Sequence, residues 1–165
     1  MQNPLLGEPF RVTAGERPVV LAHLLQLSAD DRYGRFGTSL SDNGIEAYVA
    51  CIDFARDIGV ATAGNNGQVT GFIHLAVYGD SAELGASVGA RWRRQGIARQ
   101  LFSGAVELAL MGGIREIHLA TGHPVARRIF TGIGYPCQMR TTYPRGVIEI
   151  KVQTISDCFP VGSGP

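Results

Sequence analysis

Four arginines surround one glycine at residues 91–100, RWRRQGIARQ, in a chain whose formal net charge is only +1. A strand-like stretch ends at Val88, and a helical pattern begins at Gly96. The first turn of a helix presents backbone N–H groups without an intrahelical partner, at the positive end of the helix dipole. Because Gly96 has no side chain and Ala98 has only a methyl group, a diphosphate could approach these amides while arginines neutralise its charge. The segment therefore predicts a phosphate-binding loop.

The low net charge bears on two other interpretations of this run. Apolar residues make up 45% of the chain and charged residues 18%, which is the composition of a globular protein. A nucleic-acid-binding protein is normally more basic, so we expect no nucleic-acid partner. An ordinary helix start with solvated arginines stays the alternative to a phosphate site.

The spacing Arg93-x-x-Gly96-x-Ala98 resembles motif A of the GNAT superfamily of acyl-CoA N-acyltransferases, Q/R-x-x-G-x-G/A. The flanking segments AELGASV and GHPVARRIFTGIGY are similar to that family too, so the resemblance covers residues 9–154. It implies an α+β fold whose largely antiparallel sheet has about six or seven strands and about four flanking helices. It also implies acetyl-CoA as co-substrate, with its pyrophosphate on the loop amides. The residues so implicated in coenzyme binding are Ser87, Val88, Arg93, Arg94, Gln95, Gly96, Ile97, Ala98 and Arg99.

Glu83 is the candidate general base. Glu83, Gly85 and Ser87 share one face of the predicted strand that precedes the loop. An acceptor amine must lose a proton before it attacks a thioester, since a free lysine ammonium has a pKa of about 10.4. A carboxylate beside small residues can take that proton directly or through water, and many family members have a glutamate in this strand. Pairing with a nearby arginine is the structural alternative for Glu83.

The second strand-to-helix unit departs from the family pattern. The resemblance would place an asparagine at His123 and a proton-donating tyrosine at Phe130, whose ring has no proton to donate. Water, Tyr135 or the protonated base could then serve the departing thiolate. His123 is expected either to cap the following helix or to contact pantetheine, and Arg127 either to reach the nucleotide phosphates or to be solvated.

The acceptor side carries a weaker signal. The segment LSADDRYGRFG at residues 27–37 resembles the LS-x-x-S-x-Y-x-R-F segment of the acetyltransferase domain of bacterial protein lysine acetyltransferases. The family binds its substrates between the first helices and the later strands, so the resemblance favours as acceptor wall Asp30, Asp31, Arg32, Tyr33, Arg35 and Phe36. Tyr33 and Phe36 could equally fill the core. A protein lysine, a small amine, an amino acid and an antibiotic are all candidate acceptors.

Periodicity in the sequence predicts the elements that position these residues. Helices are predicted at 17–28, 44–55, 96–111 and from Pro124, with the polar stretch between the first two as a loop. Strands are predicted at 57–62, 68–78, 82–88, 115–121 and 147–153, the first three as an antiparallel meander. The order predicts a mixed α+β sheet in one domain, residues 1–155, followed by a disordered tail at 156–165.

Several classes of site and location are disfavoured. The three cysteines have no close pair, and His23, His74 and His118 lack metal-ligand spacing, so we expect no metal site and structural histidines. No leader pattern and no run of roughly 20 apolar residues occurs, which favours a cytoplasmic protein without a membrane partner. The motifs of serine hydrolases, P-loop enzymes and dinucleotide-binding oxidoreductases are missing as well.

The sequence thus predicts an N-acetyltransferase that moves an acetyl group from acetyl-CoA directly to a primary amine. Glu83 would act as general base, and a strand amide near Ser87 or Val88 would meet the charge of the tetrahedral intermediate. The rival is a catalytically silent coenzyme A-binding module of the same fold, suggested by Phe130 and His123. Family members often form homodimers, and the sequence leaves a monomer and a homodimer both open.

Overall fold

One mixed sheet runs through the part of the chain that the computed structural model describes, residues 7–119, 124–140 and 145–150. Its seven strands are β1 (Phe10–Val12), β2 (Ile58–Ala63), β3 (Val69–Tyr78), β4 (Ser81–Val88), β5 (Glu116–Leu119), β6 (Cys137–Arg140) and β7 (Arg145–Glu149). They lie in the order β1-β2-β3-β4-β5-β7-β6, and every neighbouring pair is antiparallel except β4 and β5. The predicted α+β class and the meander of β2, β3 and β4 are confirmed.

Helices cover both faces of this sheet. Within the same ranges they are α1 (Arg17–Leu25), α2 (Ala29–Phe36), α3 (Asp42–Cys51), α4 (Ile97–Met111) and α5 (Pro124–Gly132). Side chains alternate along β3, so Phe72 packs in the core beneath α1 and α3 whereas Ile73 packs in the core beneath α4. Both faces of the central strand are buried, which explains why β3 has a continuous apolar run rather than an alternating pattern.

The segment after α1 is helical, which corrects the prediction of a loop there. Ser28 caps α2 by accepting a hydrogen bond from the backbone N–H of Asp31 at 3.1 Å. Asp30 and Asp31 place negative charge in the first turn, and Gly37 ends the helix with a φ of 74°. The prediction fails because α2 presents few apolar residues, and the side chain that it buries is Arg35.

Other boundaries differ from the predictions by a few residues. Helices α1 and α3 end at Leu25 and Cys51, before the predicted residues 28 and 55, and α4 begins at Ile97. The sequence does not predict β1 and β6, because strands of 3 and 4 residues are too short for a periodic signal. The outer ends of two predicted strands and the predicted tail lie outside the described residues. None of the helices within those ranges is long and apolar enough to cross a membrane.

Among the described residues, β4 pairs with β5 along only the first half of its length. β4 pairs with β3 from Ser81 to Val88, but its parallel pairing with β5 extends only from Ser81 to Leu84. Among the described residues, the backbone of 85–88 therefore has no strand partner on the β5 side. Backbone N–H and C=O groups at such an edge take another partner, whether water, a side chain or a ligand.

Helix α4 approaches the sheet closely at Gly71 of β3. A methyl group added there would lie 2.6 Å from Cδ1 of Leu101, 3.1 Å from Cγ2 of Ile97 and 3.3 Å from the carbonyl oxygen of Ser87. Because the helix would have to move, we expect Gly71→Ala to lower the free energy of unfolding by about 1–3 kcal/mol in urea denaturation.

The matched control for this substitution is Gly132→Ala in α5. An added methyl group at Gly132 meets no atom within 4 Å. Alanine restricts the unfolded chain more than glycine does, so we expect this variant to be unchanged or slightly more stable. Equal stability of the two variants would mean that the side chains of α4 accommodate a methyl group at Gly71.

Candidate active site

A cavity of about 770 Å³ lies along the unpaired edge of β4. Apolar side chains make much of its wall, contributed by β4, the following loop, α4 and α5: Leu84, Ala86, Val88, Trp92, Leu101, Phe102, Val125, Ala126 and Ile129. Its polar lining comprises Asp30, Asp31, Arg35, Ser87 and four exposed arginines, Arg93, Arg94, Arg99 and Arg128. An apolar slot bordered by cations suits a ligand that has an extended, weakly polar arm and an anionic group.

The loop that leads into α4 leaves its first amides open. Gly96 is the N-cap residue, with a φ of 80° and no capping side chain. Helices α2 and α3 are instead capped by Ser28 and Ser41, whose hydroxyl oxygens accept hydrogen bonds from first-turn amides. Arg94 has a φ of 60°, and it is the one non-glycine residue with positive φ in the described ranges. Such a conformation costs about 1 kcal/mol or more and is found most often at functional sites.

Arg93 braces this loop against α2. Its Nη2 lies 2.6 Å from Oδ1 of Asp31, and its Nε donates to the carbonyl oxygen of Val88 at 3.3 Å. Burial alone would raise the pKa of Asp31, but hydrogen bonds from Arg93 and Ser28 hold it below its usual value. The ion pair is therefore formed at neutral pH, and it fixes the end of β4 relative to the loop.

The donor set of this cavity fits coenzyme A. Open amides at the start of α4 and the nearby arginines match a diphosphate, and the unpaired backbone of 85–88 matches the amides of a pantetheine arm. The residues that would hold the diphosphate are 94–99, with Gly96 leaving room beside the backbone because no atom lies within 4 Å of its missing Cβ.

A second cavity, of about 350 Å³, adjoins the first at β4. It lies on the face of the sheet covered by α2 and α3, and its polar lining comprises Arg35, Tyr48, Arg56, Asp57, His74, Tyr78 and Glu83. Leu84 and Arg35 line both cavities. Two ligands, one in each cavity, would therefore approach each other at the middle of β4, where the pairing with β5 ends.

Glu83 faces this second cavity with a half-buried side chain. Its carboxylate has no hydrogen-bond or ion-pair partner among the described residues. The structural alternative for Glu83 was an ion pair with a nearby arginine, and no such pair occurs among the described residues. The oxygen lone pairs are available to accept a proton from a ligand.

His74 is part of a buried hydrogen-bond chain in the same cavity. Its Nδ1 lies 2.6 Å from the Tyr48 hydroxyl, and its Nε2 lies 2.9 Å from Oδ2 of Asp57. Burial lowers the pKa of His74 even though Asp57 acts in the opposite direction, so the ring is neutral at pH 7. The neutral ring donates from Nε2 and accepts from Tyr48, which satisfies both nitrogens and holds the Tyr48 hydroxyl at the cavity wall.

Two side chains from the helices above β4 form hydrogen bonds with the Ser87 hydroxyl. Nε2 of His23 lies 2.9 Å from the Ser87 hydroxyl, and Nη1 of Arg35 donates to the same oxygen at 3.2 Å. Burial lowers the pKa of His23 to about 4, with a further contribution from the positive charge of Arg35. His23 is therefore neutral at pH 7, and the predicted coenzyme-strand residue Ser87 is held from its α1 and α2 side.

The residues predicted for the acceptor wall are placed differently from one another. Arg32 pairs with Asp42 at 2.8 Å and donates to three backbone carbonyl oxygens, those of Leu25, Leu27 and Leu40. It ties α1, α2 and α3 together and lines neither cavity. Tyr33 is 62% exposed and also lines neither. Phe36 does line the second cavity, where its ring packs edge-on against Tyr48.

The remaining residues near the predicted coenzyme site differ in whether they line the larger cavity. Phe130 is wholly buried against Phe102, with ring centroids 4.9 Å apart, and does not line the cavity. Gln95 and Arg127 are exposed and do not line it either, whereas Arg128 does. His123 lies outside the described residues. Within those residues, no group of three or more metal-ligating side chains occurs.

Arg35, which the sequence assigns to the acceptor wall, lines both cavities. Sequence reasoning missed Tyr48 and Asp57, which come from α3 and the turn before β2, so no local spacing connects them. The available signal was the polar residue His74 in the middle of an apolar strand, since a buried histidine needs partners from other elements.

Comparison of the sequence with known protein families gives one match. A family model described as the acetyltransferase (GNAT) family matches residues 21–135. No curated protein gives a significant match to the sequence.

Solved structures share the fold at low sequence identity. The GNAT domain of PAT from S. lividans superposes with a TM-score of 0.69 at 18% identity, over 87% of this chain and 89% of that one. A phosphinothricin acetyltransferase from Sinorhizobium meliloti, in complex with AcCoA, gives 0.62 at 14% identity over 85% of each chain. The PaiA N-acetyltransferase from Thermoplasma acidophilum, in complex with coenzyme A, gives 0.59 at 14% identity, over 89% of this chain and 99% of that one.

The neutral state of His23 makes stability depend on pH. Its pKa is about 4 in the folded chain against 6.5 as the reference, so the unfolded chain binds this proton first as the pH falls. Stability is therefore lost between about pH 6.5 and 4, and we expect a loss of about 2 kcal/mol from this residue by pH 5. Urea denaturation at pH 7.5 and 5.0 measures the difference, to which His74 adds in the same direction.

The matched variants for this test are His23→Asn and His118→Asn. The first removes the titrating ring, so its loss of stability between the two pH values should be smaller by about 2 kcal/mol. The second changes a partly exposed histidine on β5 and should keep the full pH dependence. The same pH dependence in both variants would contradict the assignment.

Proposed function

We propose that this chain, which belongs to the acetyltransferase (GNAT) family, transfers an acetyl group from acetyl-CoA to a primary amine. The observation that carries the proposal is the junction of two cavities at Leu84, where the pairing of β4 with β5 ends. One cavity has the donors for a diphosphate, and the other has a carboxylate without a partner. The proposal places this single domain, residues 1–155, in the cytoplasm.

The first cavity supports the donor half of the reaction. Bound acetyl-CoA supplies an acetyl group activated as a thioester. The amides of 94–99 would bind its diphosphate, assisted by the nearby arginines, and the backbone of 85–88 would bind the pantetheine arm. An N–H group of the same β4 segment, near Ser87 or Val88, would stabilise the negative charge that develops on the carbonyl oxygen.

The second cavity supports the acceptor half. Glu83 would take the proton of the acceptor ammonium, directly or through one water, and release a neutral amine for attack. We assign this role to Glu83 rather than to His74, because both ring nitrogens of His74 already have hydrogen-bond partners. Phe130 lies in the core without a proton to donate, so the proton for the departing thiolate would come from water or from protonated Glu83.

A catalytically silent coenzyme A-binding module is the second candidate. The absence of a tyrosine at Phe130 favours it, whereas the unpaired carboxylate of Glu83 beside the donor cavity favours an enzyme. Release of free thiol from acetyl-CoA on a panel of peptide lysines and small amines separates the two. Tight binding of acetyl-CoA without release on any amine would establish the silent module, and a failure to bind acetyl-CoA would exclude both.

Substitution of Gly96 tests the donor half. Its φ of 80° is unfavourable for any residue with a Cβ, so Gly96→Ala should cost about 1–2 kcal/mol of stability and displace the loop amides. We expect the Kd for acetyl-CoA to rise about tenfold or more. The chain has one tryptophan, Trp92, which lines the donor cavity and reports binding through its fluorescence.

Gly67→Ala is the matched control for this loop substitution. Gly67 has a φ of 78° and, like Gly96, meets no atom within 4 Å of an added Cβ, but it lies in the turn between β2 and β3. It should lose the same stability and bind acetyl-CoA as the unaltered chain does. Equal Kd values for the two variants would remove the loop from coenzyme binding.

Glu83→Gln tests the acceptor half. Glutamine keeps the size of the side chain but does not accept the amine proton, so we expect kcat/KM for the amine to fall about 10²- to 10⁴-fold while the Kd for acetyl-CoA is unchanged. Glu46→Gln, on the exposed face of α3, is the control and should be fully active. Turnover by Glu83→Gln equal to that of the control across the pH range would exclude Glu83 as the base.

A further inference from the structure

Arg35 is a buried cation at the junction of the two cavities. Its side chain is 8% exposed and extends from α2 to the middle of β4, between the rings of Phe36 and Phe72. Nη1 donates to the carbonyl oxygen of Phe72 at 3.1 Å and to the Ser87 hydroxyl at 3.2 Å. Its Nε and Nη2 are buried and have no hydrogen-bond partner in the part of the chain that the structure describes.

Those two nitrogens form one edge of the guanidinium group. Nε and Nη2 present two parallel N–H bonds, the arrangement that engages both oxygens of a carboxylate. The same edge lies over Gly85, where an added Cβ would be 3.4 Å from Nη2 and 3.7 Å from Nε. Because Gly85 has no side chain, the guanidinium group lies directly against β4, on the strand where the cavities adjoin.

The charge of Arg35 has no counter-ion among the described residues. Arg32 and Arg93, its neighbours in this layer, pair with Asp42 and Asp31, but no carboxylate pairs with Arg35. A buried charge without a partner destabilises the folded chain, and so does each buried donor without an acceptor. An anion bound in the adjoining cavity would offset this loss of stability.

The two histidines beside Arg35 do not neutralise its charge. Burial and the positive charge of Arg35 lower the pKa of both His23 and His74, so both rings are neutral at pH 7. Glu83 lines the same cavity but forms no ion pair with Arg35. A ligand with a cationic nitrogen and a carboxylate would pair with both groups. Its nitrogen would lie at Glu83 and its carboxylate at Arg35.

We propose that Arg35 binds a carboxylate of the substrate, through Nε and Nη2, beside Gly85. The inference rests on the proposed acetyl transfer and specifies its substrate class as one that carries a carboxylate a short chain away from the reacting group. The carboxylate can belong to an amino-acid acceptor, which the unpaired Glu83 favours, or to a dicarboxylic acyl group on the donor. Arg35 is then a specificity residue that contacts substrate.

Matched pairs of substrates test this inference in two arms. In the acceptor arm, acetyl-CoA is given with a series of amino acids and with their carboxamides, which carry the same amine without the charge. In the donor arm, succinyl-CoA is compared with butyryl-CoA on a neutral amine. A carboxylate held by two charge-assisted hydrogen bonds should raise kcat/KM about 30- to 100-fold over the neutral partner in one arm. The arm that responds identifies the source of the carboxylate.

Two variants tie the preference to Arg35. Arg35→Lys keeps a positive charge but not the two parallel donors, and it should lose most of the preference. Gly85→Ala places a methyl group in ordinary contact with the guanidinium edge and should also reduce the preference, in a chain that keeps every buried charge. Arg11→Lys, on the exposed surface of β1, is the control and should keep the full preference. The Gly85→Ala result stands even where Arg35→Lys fails to fold.

The outcomes separate this inference from the proposed function. Equal kcat/KM for charged and neutral partners in both arms overturns the carboxylate site while acetyl transfer stands. If acetyl-CoA does not bind at all, the proposed function fails, and the site is then tested alone by thermal unfolding with succinate and with succinamide. A rise in Tm with succinate only, lost in Gly85→Ala, supports the site, and equal Tm values overturn it.

Discussion

The parallel neighbours β4 and β5 pair at four described positions, Ser81 to Leu84, and the site depends on the half of β4 that lies beyond them. Parallel strands need a long crossover, and α4 provides it between these two strands. Ligands of sheets with parallel strands bind beyond the carboxyl ends of those strands, where the connecting helix begins. Here the carboxyl half of β4 has no strand partner on the β5 side among the described residues, and it lines the same cavity as the first turn of α4.

Side-chain alternation on β4 then gives the two cavities different chemistry. Leu84, Ala86 and Val88 contribute to the apolar wall of the larger cavity, while Glu83 and Gly85 line the smaller one beneath α2 and α3. A single strand therefore separates a slot for an extended ligand from a pocket with a proton-accepting carboxylate. The strand also keeps the two sets of groups in fixed register, since β4 is paired with β3 along its whole length.

How far the sequence predicts the site depends on whether its residues are contiguous. The loop at 93–99 is predictable because one backbone segment supplies its amides, and Glu83 is predictable because alternation along one strand assigns its face. Arg35 is assigned to the acceptor wall only through the resemblance of residues 27–37 to a known segment. Tyr48 is not predictable from local spacing, because α3 brings it to β4 only after the tertiary structure forms. The same holds for Arg32, whose type and position suit substrate binding but whose donors are used by carbonyl oxygens of neighbouring segments.

The polar groups of α2 show why Arg35 differs from its neighbours. Asp31 is used by Arg93, and Asp42 at the start of α3 is used by Arg32, so the nearby carboxylates already have partners. Glu83 is the carboxylate without a partner in the same cavity, yet the two charges do not pair. A direct ion pair would occupy both the lone pairs of Glu83 and the free edge of Arg35. Keeping them apart lowers the stability of the folded chain and leaves both groups without a partner among the described residues, in a chain whose net charge is only +1.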